Sequence, residues 1–173
     1  MRILICALIL ANLCFCFDLQ SIDNIKANFV QIITSDGTRL EYSGSFVGTK
    51  SKAYYEYIKP IKKQVFIDEK NATIYEPNLN QAIIIENKIG LVDILNHAKK
   101  DGDKITSDIG GNTFSILLDS SDMPQKIEYI DELDNKNELI LSDVEINTDI
   151  DEGIFVFVAP KGIDIIHQES SIF

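Results

Sequence analysis

The chain has 173 residues, with 16 basic and 27 acidic side chains, a formal net charge of −11 and 45% hydrophobic residues. That length suits one domain with a core large enough to fold alone. So acidic a surface repels nucleic acid and anionic headgroups, which speaks against a nucleic-acid binder and a peripheral membrane binder, while the abundance of Ile, Leu, Phe and Val implies a large apolar interior.

At the N-terminus Arg2 precedes an uncharged apolar stretch from Ile3 to Phe17, the layout of a secretory signal peptide. It is shorter than the about 20 apolar residues that a membrane-spanning helix needs. Cleavage is expected after Cys16, because Cys14 and Cys16 are small residues on either side of bulky Phe15. Residues 1–16 then form the leader and 17–173 a single exported domain. The rival reading lipidates Cys14 or Cys16 and tethers the domain to a membrane, although Leu13 and Phe15 are large for the small-residue pattern of such a signal. The three cysteines of the chain, Cys6, Cys14 and Cys16, all lie in the leader. Cleavage leaves a domain without disulfides that depends on packing.

Asp18 is placed to cap a short helix over Leu19 to Asn24, after which Ile25, Ala27, Phe29, Gln31 and Ile33 alternate as a strand does. Ser35-Asp36-Gly37-Thr38 has the composition of a hairpin turn. Strands follow at Leu40 to Val47, Ala53 to Ile58, Lys63 to Asp68, Thr73 to Glu76 and Ala82 to Glu86. Breaks at Lys59-Pro60, Glu69 to Asn71 and Pro77 to Asn80 separate them, as in an antiparallel meander. Ile89 to Lys100 reads as a helix: Leu91, Ile94, Leu95 and Ala98 fall at helical spacing, Lys99 and Lys100 suit its C-terminal dipole, and Gly102 stops it. Strands resume at Ile105 to Ile109, Thr113 to Leu118, Lys126 to Ile130, Glu138 to Asn147 and Gly153 to Val158. Turns are expected at Gly110-Gly111-Asn112 and Asp134-Asn135-Lys136, and an apolar run, Gly162 to Ile166, follows Pro160. The result is a mainly β (α+β) chain of about ten or eleven strands and two helices.

Strand twist accumulates along so long a meander, so the sheet curls into a barrel or half-barrel whose concave face needs filling. Either the helices leave a lipid-sized cavity above the sheet or they pack it solid.

Catalytic chemistry is sparse. His97 and His167 have no mature cysteine to complete a metal or thiol site and read as surface residues. No phosphate loop or nucleophile elbow occurs. Asp119-Ser-Ser-Asp122 and Asp149-Ile-Asp151-Glu152 lack the full spacing of a calcium loop and read as solvated turns. No enzyme, metal or cofactor is expected.

Four stretches carry a resemblance: Ala27-Asn-Phe29-Val-Gln31; Tyr42-Ser-Gly44; Tyr55-Glu-Tyr57-Ile-Lys-Pro60 through Asp68 to Tyr75-Glu-Pro77-Asn-Leu79-Asn-Gln81; and Phe155-Val-Phe157 to Ile166. In their order and spacing the chain resembles the outer-membrane lipoprotein carrier protein family (LolA) over essentially the whole mature length. The resemblance implies an open antiparallel half-barrel whose helices lid an apolar cavity for acyl chains. It implies a periplasmic monomer that takes acylated outer-membrane lipoproteins from an inner-membrane LolCDE-type ABC transporter to an outer-membrane receptor (LolB), where one exists. The alternatives are a membrane-tethered receptor of the same fold (LolB-like), or a lipoprotein-sensing regulator, which usually carries a second domain.

On that reading Phe29, Phe46, Tyr55, Tyr57, Ile74, Phe114, Ile116, Leu141, Phe155 and Phe157 line the lipid-binding cavity, with Leu91, Ile94 and Leu95 on the lid. Each has an equal reading as ordinary core, and a one-residue register error flips a whole strand. Two departures stand out. The family's Arg-Pro pair, whose Arg holds the lid shut, is replaced by Gly48-Thr-Lys50-Ser-Lys52, so Lys50 is the nearest candidate latch, without the planar fork of Arg. Lys50 and Lys52 read equally as solvated loop charges. The family's Asp-Gly turn is Asp68-Glu69 here.

Overall fold

Alternation of large apolar and polar residues builds the centre of the molecule. In the computed structural model, which describes residues 19–86, 90–101, 104–131 and 133–168, the strands β1 (Asn24–Ser35) and β2 (Thr38–Thr49) pair along their whole length. Asp36 and Gly37 both have positive φ, 47° and 78°, at their turn, the backbone twist that suits a two-residue hairpin. The expected leader, its cleavage site, Asp18 and Gly102 lie outside the described residues.

The meander continues through β3 (Ala53–Lys59), β4 (Lys63–Ile67), β5 (Asn71–Glu76) and β6 (Gln81–Glu86). Helix α1 (Leu91–Asn96) intervenes. A second meander follows: β7 (Ala98–Asp101), β8 (Lys104–Ile109), β9 (Asn112–Leu118), β10 (Pro124–Ile130) and β11 (Lys136–Ile146). Strand β11 returns to pair antiparallel with β1, joining the two meanders into one twelve-stranded sheet. Its edges, β7 and β12 (Asp164–His167), are not paired with each other, so the sheet is open.

Four expectations are corrected. The helix expected over Ile89 to Lys100 is six residues long, because Ala98–Asp101 pairs with β8 and exchanges helical for ladder hydrogen bonds. Ala98 is buried either way, which is why its spacing looked helical, and Lys99 and Lys100 are exposed strand residues. The first helix is reduced to a 3-10 turn, Leu19–Ser21. Gly153 to Val158 forms no strand: Asp151 accepts the Gly153 N–H at 2.9 Å and starts a 3-10 turn, Glu152–Phe155. The closing apolar run is a strand instead, β12, and it lies parallel to β6 rather than antiparallel.

Helices lidding a cavity are thus reduced, among the described residues, to one short α-helix and the Leu19–Ser21 turn. These pack on each other, and α1 packs against β2 and β8 on the inner face. Ile22, Ile25, Val92 and Leu95 are almost fully buried there with Phe46 and Ile127. Burial of each such side chain contributes about 1.5–3 kcal/mol, and the short helix owes its existence to this packing rather than to propensity.

Candidate functional site

Inward-facing residues of neighbouring strands stand in register rows. Tyr55 pairs with Val65, Val65 with Ile74 and Ile74 with Ile83; on the other half Ile127 pairs with Leu139 and Ile116. The sheet curls so far that Tyr57 and Val65 from the first meander and Tyr129, Phe114 and Leu139 from the second line one hollow of about 590 Å³. Leu91 and Ile94 of α1 form part of the same wall.

Of the expected cavity residues, Tyr55, Tyr57, Ile74 and Phe114 line the hollow, as do Leu91 and Ile94. Phe29, Phe46, Ile116, Leu141 and Leu95 lie directly behind them in the buried core. Phe155 and Phe157 are corrected: the segment that carries them crosses the outer face of the sheet. Phe157 packs on Phe66 and Tyr75, with ring centroids at 5.3 and 5.6 Å, and Phe155 lies beneath Lys52. Their partners belong to the opposite parity of β4 and β5 from Val65 and Ile74, which face inward.

The remaining wall, Val65, Ile67, Ala72, Ile85, Ile127, Tyr129 and Leu139, was not singled out in the sequence. Pairing each expected residue with its cross-strand neighbour would have found several of them.

Aromatic rings form the most specific part of the wall. Phe29 meets Tyr57 edge-on at 5.0 Å and Tyr55 at 6.2 Å, while Phe46 stacks on Tyr55 at 5.5 Å. Burial pushes the Tyr55 hydroxyl up to about 12, against a lowering influence of the Leu91 backbone at the start of α1. Burial raises Tyr57 as well; its hydroxyl bonds Gln31 Oε1 at 3.3 Å.

The latch expected at Lys50 is not formed with α1. Lys50 Nζ lies 2.6 Å from Asp23 Oδ1 on the surface, tying the β2–β3 turn to the segment before β1.

The mouth is polar. Gln31, Lys63, Asn112, Asp131, Asn137 and Glu138 surround it, with exposed Leu133 at the β10–β11 tip. Glu138 is held by Lys126 at 2.7 Å and Lys136 at 3.3 Å, which bring its carboxyl down to about 2. Asp131, whose burial would raise its pKa, is instead lowered by donors from Asn135, Asn137 and Leu133. Lys63 Nζ sits 4.2 Å from the Tyr57 ring centroid and 5.3 Å from that of Tyr42, and burial lowers its pKa against an opposing attraction from Glu76.

Residues with reactive potential lie elsewhere. His97 is exposed and bonds the Asp93 carbonyl through Nδ1 at 2.8 Å, and His167 is exposed on β12. Asp119 closes its own turn by accepting the Ser121 and Met123 N–H groups, and Glu152 pairs with Lys52 at 2.7 Å. Among the described residues no three His, Cys, Asp or Glu side chains are grouped to hold a metal ion.

No family model matches the chain. Outer-membrane lipoprotein carrier protein of Wolinella succinogenes is 35% identical over 155 residues, covering 86% of this chain and 90% of its own. That of Campylobacter jejuni is 32% identical over 155 residues, covering 88% and 90%. That of Helicobacter hepaticus is 30% identical over 156 residues, covering 87% of each. Among solved structures, an uncharacterized conserved protein from Thermus thermophilus shares the fold at a TM-score of 0.53 and 13% identity, covering 86% of this chain and 93% of that one. With an identity of 35% across most of both chains, this protein belongs to the outer-membrane lipoprotein carrier protein family.

Proposed function

We propose that the protein is a periplasmic carrier that shields the acyl chains of outer-membrane lipoproteins in its hollow, receives them at the inner membrane from an ATP-driven transporter and releases them at the outer membrane. The observation that carries this reading is the open, aromatic and aliphatic hollow walled by both halves of the sheet. An acyl chain of sixteen carbons gains roughly 12 kcal/mol on full burial, at about 0.8 kcal/mol per methylene. Three chains would exceed any known non-covalent affinity, so a releasable carrier has to offset part of the gain.

Volume suggests how. If a methylene occupies about the 30 Å³ of a water molecule, one such chain fills roughly 480 Å³ and three need well over 1,000 Å³. A hollow of about 590 Å³ accommodates one chain, and a triacylated cargo requires it to widen. Helix α1 and the Leu19–Ser21 turn are the inserts that can give way, since they pack inside the sheet without belonging to its ladders. Moving them breaks apolar contacts that the lipid then replaces, which lowers the net affinity.

Spheroplasts incubated with the purified protein test the reading. Newly made outer-membrane lipoproteins are expected in the soluble fraction, bound to it, with Ile74→Asp abolishing release while circular dichroism stays native. A correctly folded wild-type protein that releases none overturns it.

A further inference from the structure

We propose that Lys63 is an anion-binding group at the mouth of the hollow, and that the protein binds single-chain lipids with a carboxylate or phosphate head, the chain in the hollow and the head on Lys63. This rests on the reading of the hollow as an acyl-chain site, and extends it from acylated proteins to free anionic lipids.

The placement follows from register. On β4, Lys63 stands opposite Tyr57, which stands opposite Gly44 and so faces inward with Phe29. Its stem runs along the wall, and its ammonium lies over the faces of Tyr57 and Tyr42. Ring faces compensate only part of the cost of taking a cation out of water, and the remainder calls for an anion.

No direct partner is supplied by the described residues. No carboxylate oxygen lies within ion-pair distance of Lys63: Glu138 is held by two lysines, Asp131 by amide donors, and Glu76, bonded to the Gln81 side chain at 2.6 Å, attracts the ammonium only from further off. Gln31, bonded through its oxygen to the Tyr57 hydroxyl, adds amide donors to the same rim. The hollow's capacity for one sixteen-carbon chain matches a ligand with one tail. The ester and amide carbonyls of an acylated cysteine are uncharged, so head charge separates this ligand class from the protein cargo.

Tyrosine fluorescence reads binding directly, because the chain has six Tyr and no Trp. Palmitate, 1-palmitoyl lysophosphatidate and neutral 1-monopalmitoylglycerol are titrated below their aggregation concentrations at pH 7.5. At least one anionic lipid is expected to bind roughly tenfold more tightly than the neutral one, the worth of a charge-assisted contact, and the stronger of the two identifies the head. Lys63→Met, which keeps the apolar stem, is expected to erase the preference, and Lys63→Arg to retain it. Equal binding of all three lipids, or a preference that survives in Lys63→Met, overturns the proposal while leaving the acyl-chain reading intact. Failure of all three to bind overturns both.

Discussion

Position 44 admits only glycine for a reason of space. A Cβ there would collide with the backbone carbonyl of Glu56 and touch the Phe29 ring, so Gly44→Ala is expected to destabilise the fold by about 3 kcal/mol, read from the denaturant midpoint at unchanged m-value. Two other single-residue changes are expected to cost little. Lys50 and Asp23 are both largely exposed, with side chains 56% and 72% accessible, so Lys50→Ala is expected to cost under about 1 kcal/mol and to leave cargo release unchanged. Tyr55→Phe keeps the ring stacked on Phe46 and edge-on to Phe29 and removes only the hydroxyl, so a change of under about 1 kcal/mol is expected at neutral pH, read from the urea midpoint.

Individual elements differ in how much of them a local pattern can reveal. Strands such as β1 and β2 were legible because alternation and the Asp36-Gly37 turn are written within a few residues of each other. Inward parity was also legible for Phe29, Tyr55, Tyr57, Ile74 and Phe114. Helix α1 was overextended because Ala98 is inward in a helix and in β7 alike, and only the β8 partner distinguishes the two. Phe155 and Phe157 alternate as a strand would, yet what holds them is a neighbouring surface, Phe66 and Tyr75, contributed from far upstream. Strand β12 depends on distance in the same way. It covers the edge of β6 through pairs from Asp164–Gln81 to His167–Ile84. A chain truncated after Gly162 is expected to remain folded but to self-associate, because β6 would become a bare edge; light scattering against the full chain checks this.

At the scale of the whole molecule, buried tyrosines tie stability to alkaline pH. Unfolded tyrosine ionises near 10, whereas folded Tyr55 keeps its proton to about 12 and Tyr57 is also raised. The unfolded chain therefore loses protons first, so stability is fully present below pH 10 and falls as pH climbs from 10 towards 12. Tyr55 alone accounts for roughly 3 kcal/mol. Urea midpoints at pH 8, 10 and 11 are expected to be similar for the first two and lower at the third, a drop that Tyr55→Phe lessens. The joining of the two meanders by β1 and β11 carries a different consequence, for the order in which the protein comes into being. Residue Ile25 finds its partner in Ile146, so the strand at the centre of the finished sheet is made early and waits, with one side unpaired, until the last third of the chain arrives. Loop closure over such a span is slow and leaves a long apolar strand open to other chains, so the newly made protein itself needs shielding before it can shield anything else.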